Sequence, residues 1–431
     1  MKKLCRDMLN NIKQHLRGMF DYRGKLTLRF LKWVIISVFV GAVMSVVGGA
    51  FRIMLDSVTN FRQSHTFIIY FLPIAGLFIV FCYQALGFKH DKGTNLVLMA
   101  VRDNEKLTLK TMLLIFSSTI ITHLFGGSAG REGAALQIGG SFAAPLGRAL
   151  KLDEKDQRII TMCGMSAGFS SIFGTPITSA VFSMEVTSVG IMHYSALVPS
   201  VLAAVVANSL TSFFNIPSVG FSGISIPKTS LFTILKIILL AVLCALLAEI
   251  FVIVLKAFHH VFQKISSNKY IRILIGSAVI IVLTLIVGSQ TYNGAGMDMV
   301  KASFSESVGA QHFILKLIFT GITLGCGFKG GEIVPAFFVG ATFGNFMSQF
   351  LGLDYSFGAS IGLIAVFCGV TNCPLTSLFM SLELFGMGGI VLYAIACAVS
   401  YMLSGYRGLY NSQKIVYSKT KTEFINKRIN S

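Results

Sequence analysis

The chain is predicted to be an all-α polytopic membrane protein built from two inverted-topology repeats with discontinuous helices. Three observations predict it: an apolar composition, hydrophobic runs of spanning length, and two pairs of motifs that recur at nearly the same spacing. Of 431 residues, 54% are hydrophobic and 13% charged, with a mean hydropathy of +0.74. A soluble domain carries about twice that charge. Apolar runs recur at roughly 33–55, 66–87, 107–125, 195–213, 229–257, 271–288, 312–325 and 388–404. Other stretches are interrupted by Gly and Pro.

The duplication rests on matched residues. Glu132 in Gly-Gly-Ser-Ala-Gly-Arg-Glu-Gly and Glu332 in Gly-Cys-Gly-Phe-Lys-Gly-Gly-Glu stand 332 − 132 = 200 positions apart, an offset that also aligns Gly127 with Gly327, Gly130 with Gly330 and Gly140 with Gly340. Pro176, Thr178, Ser179, Ser183 and Glu185 match Pro374, Thr376, Ser377, Ser381 and Glu383 at an offset of 198. If each half crosses the bilayer an odd number of times, the repeats run in opposite senses. Two such halves place a transport site at their interface. The repeats are expected over about 33–226 and 227–413, flanked by a basic segment at 1–32 and a short basic tail at 414–431.

The net charge of +18 is a topology signal rather than a nucleic-acid footprint, because basic residues crowd the two ends of the chain. Lys2, Lys3, Arg6, Lys13, Arg17, Arg23, Lys25, Arg29 and Lys32 precede the first apolar run, and Arg407, Lys414, Lys419, Lys421, Lys427 and Arg428 follow the last. Both termini are therefore expected in the cytoplasm, near anionic headgroups. Before residue 33, Leu4, Met8, Ile12 and Leu16 at helical spacing predict a surface helix rather than a signal peptide. The eight cysteines are scattered, mostly within apolar runs, and read as small core residues. No metal site and no cofactor is expected.

The glycine-rich motifs carry the chemistry. Gly-Ser-Ala-Gly-Arg-Glu-Gly ends where a helix over Ala134–Leu150 is predicted to begin, leaving backbone N–H groups free at a positive dipole end. That is an anion site. The segment from Gly327 to Ile333, leading to Pro335, supplies a second such end. Glu132 beside these donors competes with an anion when charged and can leave when protonated, which makes it a gate coupling protons to anions. Glu332 is a second functional carboxylate, with Lys329 within a turn of it. Glu185 and Glu383 end proline-started segments and read as helix-end or buried hydrogen-bonding groups.

Four of these segments, in order, resemble the CLC chloride channels and proton-coupled anion antiporters over about residues 33–413. Gly93-Thr94-Asn95-Leu96-Val97 stands where that family has its first-half anion loop, and Gly130-Arg131-Glu132-Gly133 resembles its gating-glutamate motif. Gly331-Glu332-Ile333-Val334-Pro335 resembles the second-half anion loop, and Leu409-Tyr410-Asn411 the segment with the anion-coordinating tyrosine. The resemblance implies a CLC-like fold and usually a homodimer. It implies Glu132 as gate, Tyr410 as hydroxyl donor and an anion site drawing on Gly93, Thr94, Asn95, Arg131, Gly133, Glu332 and Ile333.

Three departures are similar to the fluoride/proton antiporter branch: Thr94 and Val97 replace the family's loop serine and proline, Val186 replaces the inner proton-relay glutamate, and Glu332 replaces an apolar residue. Fluoride is strongly hydrated, and a protonated carboxyl offers it a short, charge-assisted hydrogen bond. The expected function is fluoride export in exchange for protons across a bacterial inner membrane, with Glu132 and Glu332 carrying both ions. A chloride channel or chloride/proton antiporter is the rival within the family. A distant third is an intramembrane serine hydrolase, from the Gly-x-Ser-x-Gly pattern at Gly164-Met165-Ser166-Ala167-Gly168 with His123 or His193 as base.

Overall fold

Proline and glycine divide a mostly helical chain into two parallel series of helices. The computed structural model describes residues 2–88, 92–214 and 220–429. The first series is α1 (Lys2–Ser64), α2 (Leu72–Ala85), α3 (Thr94–Asp103), α4 (Leu109–Leu124), α5 (Glu132–Ala149), α6 (Glu154–Phe173), α7 (Pro176–Glu185) and α8 (Leu197–Thr211). The second is α9 (Leu231–Ile265), α10 (Lys269–Val287), α11 (Met297–Ala302), α12 (Gln311–Cys326), α13 (Ile333–Leu351), α14 (Tyr355–Thr371), α15 (Pro374–Phe385) and α16 (Ile390–Leu403). Each member of the first series has its counterpart, in the same order, in the second.

Each predicted apolar run falls on a helix. Five helical segments are long and apolar enough to cross a bilayer: Asp21–Ser64, Thr66–Ala85, Tyr194–Phe214, Leu231–Ile265 and Lys269–Val287. α4, α12 and α16 hold the remaining runs but are shorter. The separate surface helix expected over 1–32 is instead the first half of α1. No proline precedes Pro73, so the backbone ladder continues for 63 residues, about 95 Å at helical rise. The side chains of Leu4, Met8, Ile12 and Leu16 lie outside the described residues.

Small residues let the central helices touch backbone to backbone. A side chain on Gly168 of α6 would lie 2.5 Å from the Ala135 carbonyl of α5, and one on Gly340 of α13 would lie 2.5 Å from the Gly362 carbonyl of α14. The same device serves both halves. Gly164-Met165-Ser166-Ala167-Gly168 is part of it: Ser166 is fully buried in mid-helix and donates to the Ser200 carbonyl at 2.9 Å.

The halves are joined at their broken helices. Pro176 and Pro374 start α7 and α15 at the helix position where a missing N–H costs nothing. The carboxylate of Glu185, last residue of α7, accepts from Leu375 N at 3.1 Å and Thr376 N at 2.8 Å at the start of α15. Glu383 near the end of α15 returns the arrangement, accepting from Ile177 N at 2.9 Å and Thr178 N at 2.8 Å. Both are the helix-end groups their positions predicted.

The tail is not merely a basic extension. β1 (Ser188–Val189) pairs parallel with β2 (Lys414–Tyr417), which pairs antiparallel with β3 (Phe424–Arg428). Val189, Ile415 and Ile429 form a small buried cluster beneath the sheet. The β-branched and aromatic run Ile415-Val416-Tyr417 is the strand signal that the basic composition masked.

Candidate functional site

Two glycine loops meet at the centre. Gly130 N donates to Gly331 O at 2.7 Å and Gly331 N returns to Gly130 O at 2.8 Å, an isolated antiparallel bridge. A Cβ on Gly331 would lie 2.7 Å from Gly133 N, so only glycine allows the approach. Directly after the bridge, Arg131 caps α5, of which Glu132 is the first residue, and Glu332 caps α13, of which Ile333 is the first. Two helix N-termini, each with free N–H groups, thus stand side by side.

This geometry corrects the sequence register by one. Gly130 is equivalent to Gly331, Arg131 to Glu332 and Glu132 to Ile333. Downstream, Asp153 and Asp354 cap α6 and α14 through their side chains at the same offset, 354 − 153 = 201. The expected alignment of Glu132 with Glu332 fails because glycine-dense segments match themselves at either offset.

The carboxyl of Glu132 is 1% exposed and folds back onto its own helix end, Oε2 accepting from Arg131 N at 3.1 Å. The Arg131 guanidinium lies 3.6 Å from Glu132 Oε1 through Nε and 3.1 Å from Asp56 Oδ1 through Nη1. Arg131 is therefore engaged by two carboxylates through its side chain, and by Glu132 through its main-chain N–H.

Glu332 lines a cavity of about 650 Å³ between the ends of α2, α3, α9, α10 and α12. Its walls are strongly basic: Lys92, Arg102, Lys256, Lys269, Arg272, Lys329 and Arg428. The Lys329 ammonium sits 4.7 Å from the Tyr83 ring centre. Gly93, at φ 53°, caps α3 on this cavity, and Thr94 is the first residue of that helix. Thr94 Oγ1 accepts from Gln137 Nε2 at 3.2 Å, and its hydroxyl proton remains a donor. Gln137, one turn beyond Gly133 on α5, also lines the cavity and was not singled out from sequence; its signal was a lone amide on an apolar helix.

Asn95 lines the cavity and has a second use: its Oδ1 accepts from Ser412 N and Ser412 Oγ, both at 2.9 Å, so its side chain also anchors the segment after α16. That segment carries Tyr410. The tyrosine is 1% exposed, its hydroxyl makes no hydrogen bond among the described residues, and it lies within electrostatic reach of Glu332 and Glu132.

A profile of the family described as voltage gated chloride channel matches residues 75–405. The chain belongs to that family. Within the chloride channel family it is 33% identical, over 90% of this chain and 87% of the relative, to a chloride/fluoride channel protein of Pseudomonas syringae pv. tomato. The fold is similar to the crystal structure of a CLC-type fluoride/proton antiporter, with a TM-score of 0.86 and 30% identity over 89% of this chain and 98% of that one. A slow cyanobacterial chloride/proton antiporter shares the fold at a TM-score of 0.76 and 17% identity, over 86% and 94% of the two chains. The protein is a member of an anion-transporting membrane family whose solved relatives include proton-coupled antiporters.

Proposed function

We propose that this chain is a fluoride/proton antiporter in which Glu132 is the gate and Glu332 couples proton and fluoride movement. The observation that carries the reading is Glu332 at the N-cap of α13, lining the basic cavity and one glycine bridge away from the α5 end that holds Glu132. Charged, Glu132 occupies the N–H donors of its helix and excludes an anion; protonated, it leaves them to fluoride. Arg131, Gly133 and Ile333 would offer main-chain donors there, and Gly93, Thr94 and Tyr410 would complete the anion's shell. Asn95 would contribute by holding the Tyr410 segment.

Val186 supports a shared route. It is fully buried and aliphatic, at the position where the resemblance expects a proton relay, whereas Glu332 borders the cavity that anions would enter. A proton and a fluoride would then pass through the same carboxyl pair, the neutral acid donating to fluoride in a short hydrogen bond.

The remaining assignments belong to the same proposal. The protein would work in a bacterial inner membrane with both termini cytoplasmic, its repeats running about 33–226 and 227–413. It would form a homodimer through the apolar faces of α8 and α16, where Val198, Val205, Val391 and Met402 are exposed. Reconstitution in liposomes tests the function. A fluoride gradient should drive protons in the opposite sense with little chloride flux. Chloride flux equal to fluoride flux, without protons, would make it a passive channel; chloride-driven proton movement would make it a chloride/proton antiporter.

A further inference from the structure

Residues 409–413 lie between α16 and β2 and belong to neither, so their position depends on what clamps them. Leu409 N donates to Val370 O at 2.9 Å, and Ser412 is held by Asn95 and by Arg102, whose Nη1 donates to the Ser412 carbonyl. Gln413 closes the segment. Its N–H donates to Tyr410 O at 2.9 Å, a turn that fixes the tyrosine from behind, and its carbonyl accepts from Ile429 N, just past β3, at 3.0 Å.

The Gln413 side chain is fully buried, and its amide is spent on other elements. Nε2 donates to Val186 O at 3.0 Å, just past α7, and to Thr371 O at 2.9 Å, at the end of α14. Oε1 lies 3.4 Å from Asn372 Nδ2. Both N–H donors are satisfied, and only a primary amide matches two carbonyls and an amide donor at once. The Tyr410 hydroxyl, by contrast, makes no hydrogen bond among the described residues.

We infer that Gln413 is a positioning residue: by tying the ends of α7, α14 and β3 to the turn behind Tyr410, it sets where the tyrosine hydroxyl meets the transported anion. The inference rests on the reading of Tyr410 as an anion donor, and adds that the small sheet and the α7 end are part of the anion site's support. The Val186 carbonyl then serves the anion site through Gln413.

A double-mutant cycle on the full chain in liposomes tests it. Tyr410→Phe should raise the fluoride concentration for half-maximal flux about tenfold, the worth of one hydrogen bond to an anion. Gln413→Leu should raise it several-fold with the maximal rate per folded transporter retained, and should add nothing in the Tyr410→Phe background. Gln413→Glu should recover part of the lost affinity relative to wild type as pH falls, because its neutral carboxyl regains one of the two donors; it also serves if the leucine variant does not fold. If Tyr410→Phe has no effect, the Tyr410 reading falls and the inference with it. If Tyr410→Phe acts but Gln413 variants only lower yield or thermal stability, or weaken fluoride equally in both backgrounds, Gln413 is structural and the inference alone is overturned.

Discussion

Glu332 stands where its symmetry mate is an arginine. Arg131 and Glu332 both cap central helices, so one helix end carries a cationic cap before a gating carboxyl and the other carries a carboxyl as the cap itself. Glu332→Gln keeps the size and removes only ionisation. Fluoride-driven proton movement should fall at least about tenfold while the unfolding free energy changes by less than about 1 kcal/mol, since the Glu332 side chain caps no N–H of α13; proton-coupled fluoride flux at the wild-type rate would remove Glu332 from the mechanism. Glu132 and Glu332 stood out in the sequence as carboxylates in so apolar a chain, and Tyr410 through the resemblance of its segment; the structure puts the tyrosine within electrostatic reach of both. The partnership of Asn95 with Ser412 was not, because the two lie 317 residues apart and an amide beside an anion loop suits ligation as well as anchoring. Nor was the true offset of the repeats, because glycines align with glycines at 200 and at 201.

At the scale of elements, α7 and α15 each end in the carboxylate that caps the other. Each glutamate satisfies two orphan N–H groups and adds a charge at a helix N-terminus. Glu383→Ala should lower thermal stability in detergent by about 1–3 kcal/mol, and Glu185→Ala by more, since Glu185 also accepts from the Thr376 hydroxyl at 2.5 Å. The capping sites share no residue, so the two losses should add within about half a kcal/mol; a strongly sub-additive double variant would show that one cap fails whenever the other does. The long helices were legible from hydropathy alone. α5 to α7 and α13 to α15 were legible only from motifs, because helices of ten to twenty residues broken at Gly174 and Pro374 carry no spanning signal.

For the whole molecule, the net charge of +18 has a second use beyond the ends of the chain. Seven basic residues converge on the cavity beside Glu332, from as far apart in sequence as Lys92 and Arg428. Fields of this kind draw anions in and fade as salt shortens their range. Neutralising Lys92 and Lys256 together to Gln should lower fluoride flux several-fold at sub-saturating fluoride and about 10 mM ionic strength, and hardly at all at about 1 M; the same loss at both strengths would deny an electrostatic funnel. The sheet that supports Tyr410 has a consequence for biosynthesis. β1 must wait for β2, and β2 follows α16, so a ribosome-bound chain can insert the helices up to α16 before Tyr410 has a seat. The pathway would be finished only once β2 has been made, and a copy halted before that point in the membrane would have no completed route through which to leak.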